Sequence, residues 1–399
     1  MVDSSISNAA TVLLGLTLSG ALFMLLLVIL IGFLGLFTYW FLVLFWKPKR
    51  LQKKKKPGIT IKVERVDENP VMRPVADHWW ESEAVFNPAA FVDEDRVHLL
   101  YRAIGGDGVS RIGYASSPDG IHFDERLPYP VFDMGPGFIP TAKDRRYLPL
   151  SYNTDLYASG GSWGGCEDPR AVVIDDHLYM TFGIFESWQS MRLGVTALSR
   201  EDLSARKWCW LPHVAMSPKN QTNKNWVLFP EKINGKYAIL HALTPTVSID
   251  YVEDLAHLHN NPIKSCNHRS GRKGHWDAFV RGVAAPPIKT EAGWLLFYHG
   301  MNPSQPEVGY KVGAMLLDLD DPTKILYRSN EPVLEPTEWY ENDWKPGVVY
   351  ASGAVVFHDD LILYYGGGDK YIAAAKTNYK EFLHNLMQGE HAQLQHVNM

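Results

Sequence analysis

Residues 11–46 are almost wholly apolar, from Thr11-Val12-Leu13-Leu14 to Leu44-Phe45-Trp46. A bilayer crossing needs about 20 such residues. The pattern therefore predicts an N-terminal transmembrane segment, either one long tilted helix or, less readily because no polar turn interrupts it, a tight hairpin. It outruns the apolar core of a signal peptide, and no basic segment precedes it. Lys47-Pro48-Lys49-Arg50 and Lys53-Lys54-Lys55-Lys56 follow, whereas Asp3 is the only charged side chain before the run. The positive-inside rule keeps such a flank in the cytoplasm, and the lysines suit anionic headgroups. The expectation is a single-pass membrane protein with its globular part facing the cytoplasm.

From Pro57 onward, short apolar runs are cut by Gly, Pro, Asn and Asp, and no long amphipathic period appears before Thr377–Met387. This predicts an all-β domain. Five segments share one shape: a strand, a short turn, an aromatic-rich strand, a loop and a third strand. The second strands end at Tyr101, Phe182, His241, His299 and Tyr365, so they lie 81, 59, 58 and 66 residues apart. A period near 60 with several strands per unit predicts a five-bladed β-propeller. The longer first interval contains an insertion over residues 127–163. The chain divides into a transmembrane segment (11–46), a basic juxtamembrane linker (47–69), the propeller (70–376) and a C-terminal helix and tail (377–399).

Composition narrows the class. With 46% hydrophobic and 12% aromatic residues the chain can build a large core. A net charge of −5 argues against nucleic acid as a partner. The three cysteines, Cys166, Cys209 and Cys266, lack metal or disulfide spacing, so neither a metal nor a cofactor is expected. The 13 Trp and 19 Tyr supply rings for a β-core and platforms for sugars alike.

Candidate chemistry concentrates at Gly164-Gly165-Cys166-Glu167-Asp168-Pro169-Arg170, two carboxylates and a guanidinium at the start of an apolar strand. Such starts recur at Phe86-Asn87-Pro88 and Phe229-Pro230-Glu231-Lys232. Repeat-equivalent strand starts converge on one funnel, which collects Asn87, Arg102, Glu167, Asp168, Arg170, Arg192, Glu231, Lys232, Asp277, His299 and Asp369. Singly, each is as well read as a solvated charge or a structural ion pair. As a set they suit a sugar plus an anion. Cleaving a glycosidic bond needs an acid at the leaving oxygen and a nucleophile opposite. Water needs a second carboxylate, for which Glu231 and Asp277 are candidates. Phosphate needs cations instead, and Arg192, Lys232 and a protonated His299 offer them.

The run Gly165–Arg170 resembles the signature of glycoside hydrolase family 130, the inverting β-mannoside phosphorylases and β-mannosidases. Val85-Phe86-Asn87-Pro88-Ala89, Leu228–Ile233, Gly293–Gly300 and Tyr364–Asp369 fit the same resemblance, which runs from about Pro70 to Glu381. It implies a five-bladed propeller with Asp168 as general acid, passing its proton through a hydroxyl of the bound mannose. It implies phosphate as co-substrate on Arg192, Lys232 and His299, and mannose on Asn87, Arg102 and Asp369. The residues themselves add Glu167, Arg170 and Asp277 as further substrate contacts. The expected activity is transfer of mannose from a β-mannoside to phosphate, giving α-mannose 1-phosphate, or the reverse. Hydrolysis by an inverting β-mannosidase and a non-catalytic sugar-binding propeller are the alternatives.

Overall fold

A computed structural model of the chain describes residues 22, 24–25, 27–40, 61–135, 164–187, 190–304 and 309–388. Residues 1–58 and 59–399 form two separate units.

In the first unit residues 27–40 are helical. Among the described residues no helix is long and apolar enough to cross a membrane. This corrects the transmembrane and membrane-anchor expectations. The single-pass, cytoplasm-facing placement falls with them, because the positive-inside argument then has no span to orient. The rest of the run over 11–46, and the lysines of 47–56, lie outside the described residues.

The second unit is built from twenty strands among the described residues. The first repeat supplies β2 (Ala84–Asp93), β3 (Arg96–Ile104), β4 (Val109–Ser117) and β5 (Glu125–Arg126). The second supplies β6 (Gly164–Ile174), β7 (His177–Ser187), β8 (Ser190–Ser199) and β9 (Val214–Ala215). The third supplies β10 (Val227–Leu228), β11 (Tyr237–Ala242) and β12 (Ser248–Val252). The fourth supplies β13 (Phe279–Val283), β14 (Ile288–Thr290), β15 (Gly293–Met301), β16 (Lys311–Leu317) and β17 (Ile325–Arg328). The last supplies β18 (Val349–Phe357), β19 (Asp360–Gly367) and β20 (Tyr371–Asn378), which β1 (Glu64–Arg65) joins from the far end of the chain.

The five-bladed propeller is corrected as well. Among the described residues these strands form four sheets, of eight, three, five and four strands, not five separate blades, and no sheet closes on itself. The first two repeats merge because β4 and β6 run parallel over Val109↔Gly164 and Ser110↔Gly165. Gly165 permits the approach: it has φ +91, and a Cβ there would lie 2.1 Å from the Ser110 carbonyl oxygen.

The second strands are apolar on successive residues because both faces are buried. Leu99 packs with Ile362 and Tyr364 of the last repeat, whereas Leu100 packs with Leu178 and Met180 of the second. Other clusters join the second and third repeats through Leu193, Trp226 and Ile239, the third and fourth through Leu240 and Leu296, and the fourth and last through Phe297 and Leu363. Burying each such side chain contributes about 1.5–3 kcal/mol. The helix Tyr379–Met387 caps the chain, with Phe382 and Leu386 buried.

Three repeats share a polar staple. An acid sits in the segment before the first strand and accepts from a tyrosine hydroxyl of the second strand and from an arginine. Glu81 accepts from Tyr101 at 2.9 Å and Arg126 at 2.6 Å. Asp277 accepts from Tyr298 at 2.7 Å and Arg328 at 2.6 Å. Glu341 accepts from Tyr365 and, bidentately, from Arg65, at 2.8–2.9 Å. All three acids are fully buried.

Candidate active site

Each repeat sends one residue from the start of its first strand, or just before it, into a common cleft: Asn87, Asp168, Asn225, Arg281 and Tyr350. Asn87 and Asp168 arrive there by the same device. Each precedes a proline, has φ near +50, and sits in a register shift of its strand, between Phe86 and Ala89 or between Glu167 and Arg170. A bulge turns a side chain out of the sheet's alternation. Asn and Asp tolerate the left-handed backbone better than other side chains. Arg170 pins the turn, donating from Nη1 to the Asp168 carbonyl oxygen at 2.6 Å.

The cleft encloses about 540 Å³ including its mouth, and Arg102, Lys224, Arg269, Tyr310, Lys345, Val348 and Asp369 complete its wall. A cavity of about 260 Å³ adjoins it, lined by Glu167, Asp168 and Arg170 with Thr181, Trp226 and others. Asp168 is shared. Its Oδ1 accepts from Asn87 Nδ2 at 2.8 Å and Arg102 Nη1 at 3.1 Å. Burial pushes this carboxyl up, but Arg102, Lys224 and Arg170 outweigh it and hold the group well below the usual carboxylate range. Arg102 also reaches Glu167 at 3.0 Å and Ser110 at 2.8 Å. Burial opposes its charge, yet Glu167, Asp168 and Asp369 hold it above its ordinary value. Lys224 lies 3.6 Å from Glu167, and Lys345 lies 3.1 Å from Asp369.

Arg269 and Arg281 differ. Among the described residues neither guanidinium has a carboxylate partner. Arg281 lies over the Tyr310 ring at 5.1 Å. Burial, and then the charge of Arg281, push Arg269 below its ordinary value.

Of the residues singled out in the sequence, Asn87, Arg102, Asp168 and Asp369 line the cleft, and Glu167 and Arg170 line the adjoining cavity. The others are placed elsewhere. Lys232 pairs with Asp175 at 2.9 Å on an exposed surface, and Glu231 pairs there with Lys289. The third repeat's strand starts at Val227, not Phe229, so its cleft residue is Asn225. Asp277 is the buried staple acid, saturated by Arg272, Arg328 and Tyr298. Arg192 donates from Nε to the Ser217 carbonyl oxygen at 2.8 Å and lies 3.7 Å from Glu186, outside both cavity walls.

His299 is fully buried beneath the cleft, stacked on Tyr350 at 4.2 Å. Burial, and then Arg170, push its imidazole down to about 3, so it is neutral at neutral pH. Among the described residues, no group of three or more His, Cys, Asp and Glu side chains could hold a metal ion.

A family profile described as beta-1,4-mannooligosaccharide phosphorylase, glycoside hydrolase family 130, matches residues 155–388. A 1,2-beta-oligomannan phosphorylase of Thermoanaerobacter sp. is 36% identical, over 80% of this chain and 99% of that relative. The chain belongs to glycoside hydrolase family 130. A beta-1,2-mannobiose phosphorylase of the same organism is 35% identical over 79% of this chain and 96% of its own. A solved structure matches with a TM-score of 0.63 and 26% identity, over 80% of this chain and 95% of the other. That structure is described as showing that this family of mannoside phosphorylases contains glycoside hydrolases that target beta-1,2 mannosidic linkages in Candida mannan.

The family motifs led to four of the cleft residues but missed Lys224, Asn225, Arg269, Arg281, Tyr310, Lys345 and Tyr350. Two of these carried a signal. Arg281 and Tyr350 open the first strands of the fourth and last repeats, where Asn87 and Asp168 stand in theirs. The remainder lie in turns or irregular segments, whose position no strand period reports.

Proposed function

We propose that the cleft catalyses phosphorolysis of a β-mannoside with inversion at C1, releasing α-mannose 1-phosphate, and that it also runs the reverse synthesis. The observation that carries this is the pair Arg269 and Arg281, two guanidiniums without a carboxylate partner in the cleft that holds Asp168. A phosphate ion satisfies such a pair by charge-assisted hydrogen bonds. Phosphate is therefore assigned to Arg269 and Arg281, with Lys224 and Tyr310 beside them, in place of Arg192, Lys232 and His299. Mannose is assigned to Asn87, Arg102 and Asp369. The names of the relatives point to β-1,2-linked mannosides as the substrate class.

Asp168 is the proposed general acid, and its surroundings order the steps. Lys224, one of the cations that hold it ionised, also stands beside the phosphate assigned to Arg269 and Arg281. Phosphate entering as H₂PO₄⁻ cancels part of that field and raises the affinity of Asp168 for a proton. Asp168 takes a proton from it. The resulting HPO₄²⁻ attacks C1 from one face as the C1–O bond breaks on the other, and Asp168 returns the proton to the departing oxygen through a mannose hydroxyl. The sum is mannoside plus H₂PO₄⁻ giving alcohol plus mannose 1-phosphate, with nothing left over. Hydrolysis needs a free carboxylate to activate water. Glu167 and Asp369 are instead bound to Arg102, Lys224 and Lys345.

The test is incubation with β-1,2-mannobiose with and without phosphate. Mannose 1-phosphate formed only with phosphate supports the proposal. Free mannose at equal rate without phosphate overturns it in favour of hydrolysis, and binding without turnover leaves a sugar-binding protein. Arg281→Ala should raise the phosphate KM by tenfold or more, about 1.4 kcal/mol of lost binding. Lys232→Ala should leave it unchanged.

A further inference from the structure

We propose that Trp79 and Trp339 are sugar-stacking platforms beside the cleft, holding β-mannosyl units beyond the linkage that is cleaved. The proposal rests on the mannoside reading above and extends it to the length of the substrate chain.

The segments before the first strands of three repeats align as Trp79-Trp80-Glu81, His275-Trp276-Asp277 and Trp339-Tyr340-Glu341. The third residue is the staple acid. The middle residue is an aromatic packed inward: Trp80 stacks on Tyr101, Trp276 stacks on Tyr298, and Tyr340 is buried. The first residue points outward, and in two of the three repeats it is tryptophan. Trp79 is 61% exposed and Trp339 is 53% exposed. Tryptophan is ordinarily well buried, and leaving an indole in water forgoes a large hydrophobic gain.

Both rings are braced. Arg111 lies over Trp79 at 4.6 Å, is itself buried, and is anchored to Asp107 at 2.7 Å. Arg73 lies over Trp339 at 5.3 Å. A guanidinium over an indole restrains the ring, so little further freedom is lost when a ligand stacks on it.

Both rings stand at the end of the sheets where the cleft opens. The Trp79 carbonyl packs on Gly105, where a Cβ would lie 2.0 Å away, three residues past the cleft residue Arg102. The Trp339 ring is 5.5 Å from Tyr371, two residues past the cleft residue Asp369. The first and last repeats, which carry the two rings, also pack directly on one another. The surroundings are charged rather than apolar: Asp107 and Arg111 at one ring, Arg73, Asp343 and Lys370 near the other. A braced, exposed indole with polar groups around it suits a pyranose, which offers an apolar C–H face with hydroxyls around its edge. A protein partner would call for a contiguous apolar patch.

The experiment compares kcat/KM for β-1,2-linked mannosides from the disaccharide to the pentasaccharide. In the wild type this value is expected to rise with length. Trp79→Ala and Trp339→Ala are each expected to flatten the rise, the pentasaccharide losing about tenfold relative to the disaccharide. Trp79→Phe and Trp339→Phe should restore most of it, which a folding defect would not allow. Equal losses at every length, or none, overturn the proposal. Calorimetric titration of the pentasaccharide into the same proteins separates it from the catalytic reading. Binding that weakens in the alanine variants supports the platforms even where no phosphate-dependent turnover is found. Turnover with unchanged pentasaccharide affinity refutes them alone, and a wild type that binds no pentasaccharide refutes them outright.

Discussion

Asp168 stands among cations that stabilise its charge, which is the reverse of what a resting proton donor needs. Its acidity is therefore conditional on the nucleophile. Asp168→Asn is expected to lower kcat for phosphorolysis by about 10²–10⁴. The loss should shrink with 4-nitrophenyl β-mannoside, whose phenolate leaves without a proton. A merely structural role would depress both substrates alike. His299 gives a second expectation at this scale. Its folded-state pKa of about 3 lies below the ordinary 6.5. The unfolded chain thus binds a proton that the folded chain refuses. The stability from this residue is fully present above pH 6.5 and falls as pH drops toward 3, by roughly 1.4 kcal/mol per unit. Acid unfolding followed by circular dichroism should be less steep in His299→Gln. The sequence offered the histidine and its place at the end of a strand. It did not show that Tyr350, 51 residues on, covers the ring and keeps it neutral.

The strands were the most legible elements, because their apolar runs are dictated by burial on both faces. Tyr237–His241 and Leu361–Tyr365 read as strands and lie within β11 and β19. Sheet membership was not legible. A two-residue parallel contact at Gly165 merges two repeats, and no periodicity encodes it. Gly165→Ala is expected to lower both the melting temperature and kcat, since the added methyl meets the Ser110 oxygen three residues from Asp168. The role of Asp277 is hidden in the sequence for a related reason. Asp277 looks like a catalytic carboxylate until Glu81 and Glu341 are aligned with it. Each follows an aromatic residue and precedes its tyrosine by 20 to 24 residues. Asp277→Ala should destabilise the fold by about 3–5 kcal/mol, because Arg272 and Arg328 lose their buried partner. A thermal melt reads the loss, and the fraction that remains folded should retain its phosphate KM.

At the scale of the whole molecule, the fold depends on residues far apart in the chain. β1 adds to the edge of β20, and Arg65 neutralises Glu341 across 276 positions. Arg65→Ala should cost about 3–5 kcal/mol, as much as the loss of a staple partner elsewhere, although Arg65 lies in a two-residue strand. A shift in the denaturant midpoint at unchanged m-value would record it. This wiring also sets a schedule for synthesis. Arg65 leaves the ribosome long before Glu341 exists, and Asp369 follows later still. For most of its time as a nascent chain the protein has one wall of the cleft without the other. Arg65 and the apolar face of the first repeat wait in water for partners not yet translated. Closure of the cleft therefore waits on the last repeat, which carries Tyr350 and Asp369.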